Sequence, residues 1–100
     1  MVLYSACVEI ESITHKALRR FAETGNSKGV MQPERVRDML AFVVQAGAFD
    51  DLATPPNFGF HALKGDRAGT FAMTVTRNYR LTFTKVDEQT ICDLDLEDYH

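Results

Sequence analysis

The stretch FAMTVTRNYRLTFTKVDEQTICDLDLE, residues 71–97, decides the fold because apolar and polar residues alternate three times in succession. The alternating apolar positions are Phe71, Met73 and Val75, then Tyr79, Leu81 and Phe83, and finally Cys92, Leu94 and Leu96. Turn-forming residues at Asn78 and at 87–89 separate the runs. Three alternating runs joined by short turns predict an antiparallel meander with one buried face.

The residues before the meander begin with a predicted strand and a first helix. Residues 2–10 alternate in the manner of a strand, and Ser12 or Thr14 can cap the helix that follows. The helix should end at Gly25. Its apolar stripe consists of Ile13, Ala17, Leu18 and Phe21.

A second helix should begin at Pro33, which suits the first helical position, and should end near Gly47. Its apolar stripe consists of Val36, Met39, Leu40 and Val43, and its outward positions Arg35, Arg37 and Asp38 are expected to be a solvated face. Residues 50–59 predict an irregular crossing. The resulting order, β-α-α-β-β-β, predicts an α+β fold in which two N-terminal helices pack on one face of a small antiparallel sheet.

Length and composition predict one folded domain over residues 1–100, since 45% of the residues are hydrophobic and 25% charged. No apolar run approaches the roughly 18 residues that a membrane span needs. The start of the chain lacks the basic region of a signal peptide. Cys7 and Cys92 have no CxxC spacing, which favours a reduced, cytoplasmic compartment. Both lie in predicted strands, so both thiols are expected to lie in the core.

The charge distribution is uneven, although the net charge is only −3. Residues 61–80 contain four Lys or Arg residues and one acid, whereas residues 85–100 contain one Lys and six acids. The net charge argues mildly against a nucleic-acid-binding protein, but a local basic segment can still bind phosphate.

The common cofactor and metal motifs are missing from the sequence. It contains no GxGxxG, P-loop or HExxH pattern. A zinc site would have to combine scattered residues such as Cys7, Cys92, His61 and His100, whose spacing does not suit one. We therefore expect neither a metal ion nor a cofactor. His15, beside Lys16 on the first helix, is expected to be a surface residue.

Three separated segments resemble a known family. HALKGDRAGTFAMTV (61–75), NYRLTF (78–83) and EDYH (97–100) resemble, in the same order, the C-terminal half of HigB-type toxins of the RelE/ParE superfamily, also called plasmid maintenance killer proteins. SITHKALRRFAETGNSKGV (12–30) is similar to the first helix and loop of that group. The resemblance implies a RelE-like fold and the toxin of a type II toxin–antitoxin system. It also implies cleavage of mRNA in the ribosomal A site, inhibition of translation, and a HigA-like helix-turn-helix antitoxin as partner.

The resemblance also implies roles for individual residues. Catalytic roles fall on His61, Arg80, Asp98 and His100, and RNA-contact roles on Lys64, Tyr99 and Arg77, the last at a position where the family pattern is looser.

These residue types suit metal-free RNA cleavage, in which the 2′-OH attacks the adjacent phosphate. The reaction needs a base, cations for the developing phosphorane and an acid for the leaving 5′-oxygen. His61 or Asp98 could activate the 2′-OH, and His100 could protonate the leaving oxygen or orient the site. Arg80 and Lys64 suit the phosphorane charge.

Two other functions are compatible with the same fold. A ParE-like toxin would bind DNA gyrase, and an attenuated toxin-fold protein would only bind its antitoxin. A ParE-like toxin would not need the H-x-L-K-G-D loop or the terminal D-Y-H, and this sequence contains both. The sequence therefore favours the nuclease.

Overall fold

The computed structural model describes residues 7–98, which form two helices, two short 3₁₀ turns and a five-stranded sheet. The elements are β1 (Glu9–Ile10), α1 (Lys16–Thr24), α2 (Pro33–Gln45), a 3₁₀ turn (Phe49–Ala53), β2 (His61–Ala62), a second 3₁₀ turn (Gly65–Arg67), β3 (Thr70–Thr74), β4 (Tyr79–Asp87) and β5 (Thr90–Asp98). Residues 2–6 of the predicted first strand lie outside the described residues.

The sheet has the order β1-β5-β4-β3-β2. The predicted meander is confirmed, since β3 pairs antiparallel with β4 and β4 pairs antiparallel with β5. The sheet as a whole is mixed, because β1 pairs parallel with β5. It also gains β2, which pairs antiparallel with β3. Two residues are too few to show an alternating pattern, so neither pairing could be read from the sequence.

Both helices pack on the same face of the sheet, which confirms the predicted α+β arrangement. The helices and the sheet share one hydrophobic core, formed in part by Leu18, Phe21, Val36, Met39 and Val43 from the helices and by Met73, Leu81, Phe83, Leu94 and Leu96 from the sheet. The 3₁₀ turn at the start of the predicted crossing joins this core through Phe49, whose ring meets that of Phe71 edge-on at 4.8 Å. The opposite face of the sheet is therefore open to a ligand.

The start of α1 differs from the prediction. Neither Ser12 nor Thr14 caps the helix. His15 is the N-cap, and its Nδ1 accepts a hydrogen bond from the Leu18 backbone N–H at 3.1 Å. His15 is therefore half-buried rather than a plain surface residue. Gly25 ends the helix as predicted, in the left-handed conformation with φ 81°.

The outward face of α2 is also less solvated than predicted. Pro33 is its first residue, as predicted, and the helix ends at Gln45. Arg35, however, donates from Nε to the Val75 carbonyl oxygen at 2.5 Å, and its guanidinium lies 5.2 Å from the centre of the Phe58 ring. A long side chain can thus fix a helix to a sheet while its residue stays exposed.

A bulge in β5 makes the prediction for Cys92 wrong. Thr82 pairs with Asp95 and Thr84 with Cys92, so β5 has one extra residue between these positions. Asp93 in this segment has a φ of 54°. The bulge changes which residues face the core. Ile91 and Leu94 are both buried, whereas Cys92 is half-exposed. Cys7 is exposed and also lies outside the core.

In the part of the chain that the structure describes, neither helix is long and apolar enough to cross a membrane.

Candidate active site

The strand register places two predicted catalytic residues on the open face of the sheet. His61 pairs with Ala72, and Ala72 pairs with Thr82. Arg80 lies two positions before Thr82 on β4, so its side chain projects from the same face. Standard strand spacing puts the Cα atoms of His61 and Arg80 roughly 12 Å apart, within reach of one bound group for two extended side chains.

His61 is held by its neighbours although its side chain is exposed. Phe60, on the other face of the chain, stacks on Phe71 with ring centres 5.5 Å apart. His61 Nδ1 lies 2.8 Å from the Gly59 carbonyl oxygen. A carbonyl oxygen only accepts hydrogen bonds, so Nδ1 carries the proton and the neutral ring has an unprotonated Nε2.

Arg80 forms part of a charged group centred on Glu97. Glu97 Oε1 lies 3.3 Å from Arg80 Nη2 and 2.9 Å from Arg67 Nη1, and Glu97 Oε2 lies 2.7 Å from Arg67 Nη2. Thr82 donates its hydroxyl to Glu97 Oε2 at 2.7 Å. We call Glu97, Arg67, Arg80 and Thr82 the Glu97 cluster. Its two-pronged Arg67–Glu97 contact is the geometry in which arginine binds carboxylate most strongly.

The contacts in the Glu97 cluster keep Glu97 ionised. Hydrogen bonding by Arg67, with further contributions from Thr82 and Arg80, lowers the pKa of the Glu97 carboxyl from 4.5 to about 2, although burial opposes this shift. The same ion pair raises the pKa of Arg67. The cluster therefore has two cations and one anion at any physiological pH. The Asp95 carboxylate, which pairs across from Thr82, is a second nearby anion and also raises the pKa of Arg67.

The predicted RNA-contact cations Lys64 and Arg77 are both exposed. The backbone N–H of Leu63 donates to Thr70, so Lys64 lies near the start of β3. Arg77 follows the end of the same strand, in the turn that leads into β4. A ligand that contacts both cations must therefore extend along β3.

Of the predicted C-terminal site residues, the structure describes Asp98. It is exposed and pairs with Tyr79, at the end of β5 and beside the strand that carries Arg80. Strand alternation assigns Asp98 to the face opposite that of Glu97. Tyr99 and His100 lie outside the described residues, and their predicted roles remain predictions.

Sequence reasoning missed Glu97 and Arg67 as members of the site. Both lie in segments that resemble the family, Arg67 in 61–75 and Glu97 in 97–100, but the sequence assigns neither residue an individual role. The available signal was the alternation in β4 and β5, which gives Glu97 the same face as Arg80 once the two strands are paired. The contact with Arg67 had no such signal, because a loop residue has no strand register.

The chain matches the family described as HigB-like toxin, the RelE-like toxin of the type II toxin–antitoxin system HigB, over residues 11–100. It is also 34% identical over 93 residues to the endoribonuclease HigB of Proteus vulgaris, a match that covers 91% of this chain and 99% of that protein. The chain therefore belongs to the HigB-like toxin family, as its motifs predicted.

Two solved structures have a similar fold. YafQ from E. coli strain BL21(DE3) has a TM-score of 0.60 and 12% identity, and the match covers 91% of this chain and 92% of YafQ. The YoeB–YefM complex of Staphylococcus aureus includes a chain with a TM-score of 0.55 and 17% identity, and that match covers 95% of this chain and 99% of that one. At this identity the likeness concerns the fold, which confirms the RelE-like prediction.

Proposed function

We propose that this chain, acting as one domain over residues 1–100, is a metal-independent endoribonuclease that cleaves mRNA in the ribosomal A site and so stops translation. The observation that carries the proposal is the position of His61 and Arg80 on one open sheet face, in a homologue of an endoribonuclease. The site of action would be the cytoplasm, where translated mRNA is found.

His61 is the better candidate for the base that activates the 2′-OH. Its Nδ1 is occupied by the Gly59 carbonyl oxygen, so the unprotonated Nε2 is the atom available to take a proton near neutral pH. Asp98 belongs by strand alternation to the face opposite Arg80. The register therefore favours His61 over Asp98, and leaves Asp98 a supporting role at the end of β5.

Arg80 and Lys64 would bind the charge that develops on the phosphorane. The side chain of Arg80 is only 17% exposed and its guanidinium is oriented by Glu97, so little reorganisation is needed when phosphate charge develops. Lys64 is exposed and can approach the phosphate as a point charge.

The remaining predicted residues complete the reaction. His100 would protonate the leaving 5′-oxygen or orient the site, and Tyr99 would stack on a base or hydrogen-bond the phosphate. Arg77 would contact the RNA backbone beyond the cleaved bond. The spread of Lys64 and Arg77 along β3 suits an extended strand better than a small molecule.

The partner that would neutralise this activity is a HigA-like helix-turn-helix antitoxin. Membership of a toxin–antitoxin family supports this choice. A pull-down of the chain with the product of a neighbouring gene would identify the antitoxin, and an antitoxin without a helix-turn-helix would contradict the HigA-like assignment.

The test of the proposal is a translation reaction to which the purified protein is added, followed by mapping of mRNA 5′ ends. We expect the wild type to create new 5′ ends within translated codons and His61→Ala to create none. Arg80→Ala, Asp98→Ala and His100→Ala should each lower cleavage at least tenfold while remaining folded.

Matched lysine variants control for general loss of charge. Lys64→Ala should slow cleavage, whereas Lys28→Ala, an equally exposed lysine after α1, should not. Cleavage of the same mRNA without ribosomes would contradict ribosome dependence. If the mRNA stays intact and DNA gyrase is inhibited, the ParE-like function replaces the proposal. If neither translation nor gyrase is affected, antitoxin binding remains as the function.

A further inference from the structure

Glu97 connects two parts of the chain that are distant in sequence. Arg67 belongs to the loop between β2 and β3, which also contains Lys64 and directly follows His61. Glu97 belongs to β5, and it contacts Arg80 across the β4–β5 ladder. The Arg67–Glu97 ion pair therefore joins the half of the site before β3 to the half formed by β4 and β5.

The environment of Glu97 excludes it as a general base. Both carboxylate oxygens accept hydrogen bonds, Oε1 from Arg67 and Arg80 and Oε2 from Arg67 and Thr82. A base that removes a proton near neutral pH needs a pKa much closer to 7 than the value of about 2 at this carboxyl. The side chain is also half-buried, with 21% of it exposed.

We infer that Glu97 is a positioning residue, which through Arg67 fixes the loop that contains Lys64 and follows the strand of His61 against the strands that carry Arg80 and Asp98. Its effect on catalysis rests on the proposed nuclease function, whereas its effect on the loop does not.

The physical reason is that the loop has few other restraints. It contains Gly65 and Gly69 in left-handed conformations, and its residues from Lys64 to Gly69 are exposed. A misplacement of about 1 Å can cost a hundredfold in rate when reacting groups must be aligned. A half-buried carboxylate that binds Arg67 through two hydrogen bonds also fixes the orientation of the loop, which a single contact would not.

The first experiment measures loop order without any substrate. Amide hydrogen exchange would be compared between the wild type and Glu97→Gln at Leu63, Arg67 and Ala68, whose N–H groups are hydrogen-bonded within the loop region. We expect at least tenfold faster exchange in the variant. Glu88→Gln, which removes the exposed Lys85–Glu88 ion pair on the same hairpin, should leave exchange at the three amides unchanged.

The second experiment measures cleavage of ribosome-bound mRNA by the same proteins. We expect Glu97→Gln to lower kcat by roughly 10- to 100-fold and to change KM less than threefold, since alignment rather than binding is lost. Glu88→Gln should match the wild type.

Variants of Arg67 test the same ion pair from the loop side. They keep the inference testable if Glu97→Gln does not fold, because Arg67 is 42% exposed and its replacement disturbs no core contact. Arg67→Gln should reproduce the loss of kcat, and the double variant should be no worse than the worse single variant, as expected for one shared interaction. Arg67→Lys, which keeps the charge but not the two-pronged contact, should restore only part of the rate.

The outcomes separate the inference from the proposed function. Unchanged amide exchange in Glu97→Gln would overturn the inference whether or not the protein cleaves RNA. Faster exchange with an unchanged kcat would also overturn it, because the loop would then move without consequence. A wild type that cleaves no RNA would refute the proposed function, and the exchange data would still decide whether Glu97 orders the loop.

Discussion

At the scale of single residues, Thr82 shows how a hydroxyl can stabilise a buried ionic group. Among the described residues, Thr82 is the one polar residue that is buried, with 2% exposure. It lies next to Glu97 on the open face of the sheet. Its hydroxyl donates to a carboxylate that also accepts from two guanidinium groups. A hydrogen bond to a charged group contributes more than one between neutral groups, about 1.5–3 kcal/mol.

Thr82→Val removes this hydroxyl and nearly preserves the shape of the side chain. We expect the variant to lose about 2 kcal/mol of unfolding free energy, since the Glu97 carboxylate loses a donor. Urea denaturation at neutral pH measures the loss.

Thr84→Val is the matched control, because Thr84 lies on the same strand and face and is half-buried. This change should alter stability by less than about 0.5 kcal/mol. Equal losses in both variants would show that β-branched packing, not the hydrogen bond to Glu97, determines the effect.

At the scale of elements, the connection between α1 and α2 depends on two glycines with different surroundings. Gly25 ends α1 at φ 81°, and a Cβ built there meets nothing within 4 Å. Gly29 has a similar φ of 83°, but a Cβ there would lie 2.9 Å from the Ala17 Cβ. The first position demands only a left-handed backbone, whereas the second also lies against α1.

Gly29→Ala should therefore destabilise the protein more than Gly25→Ala. We expect about 1 kcal/mol for Gly25→Ala from backbone strain alone. For Gly29→Ala we expect about 2–3 kcal/mol, because a steric overlap is added. Thermal and urea unfolding of the two variants provide the comparison, and equal losses would mean that the loop moves away from Ala17 at no cost.

The bulge in β5 is another feature at this scale. Asp93 donates its backbone N–H to the Ser12 hydroxyl at 2.9 Å, and Leu94 donates its N–H to the Ser12 carbonyl oxygen at 3.0 Å. The segment before α1 thus satisfies the backbone at the bulge. The alternation of Cys92, Leu94 and Leu96 could not reveal this, because a bulge changes the register without changing the sequence pattern.

At the scale of the whole molecule, the basic and acidic segments of the sequence meet in the sheet. The net charge of −3 conceals a site where two arginines surround one carboxylate. Because that carboxylate has a lowered pKa in the folded state, it contributes stability that is present above its unfolded pKa of 4.5 and is lost as the pH falls toward about 2.

The stability difference between wild type and Glu97→Gln should therefore depend on pH. The lowered pKa corresponds to roughly 3 kcal/mol at neutral pH, and partial exposure to solvent reduces this to about 2 kcal/mol. At pH 3 the difference should be less than half its value at pH 7. Urea unfolding of both proteins at pH 7, 5 and 3 tests this, and a constant difference would mean that the Glu97 charge does not stabilise the fold.

The sequence by itself determined the α+β class, the meander, the helix beginning at Pro33 and the family. It could do so because these depend on local periodicity, on backbone preferences and on ordered motifs that are short enough to read along the chain. The resemblance to the family also predicted roles for His61, Lys64 and Arg80, whose side chains suit phosphate chemistry.

Only the tertiary structure decided which of these residues share a face and what holds them there. The parallel pairing of β1, the two-residue β2, the β5 bulge and the Arg67–Glu97 ion pair all join positions that are distant in sequence. Such contacts depend on strand register and loop path, which alternation alone does not specify. The sequence therefore predicted a set of reactive residues, and the structure places Glu97 between the two parts of that set.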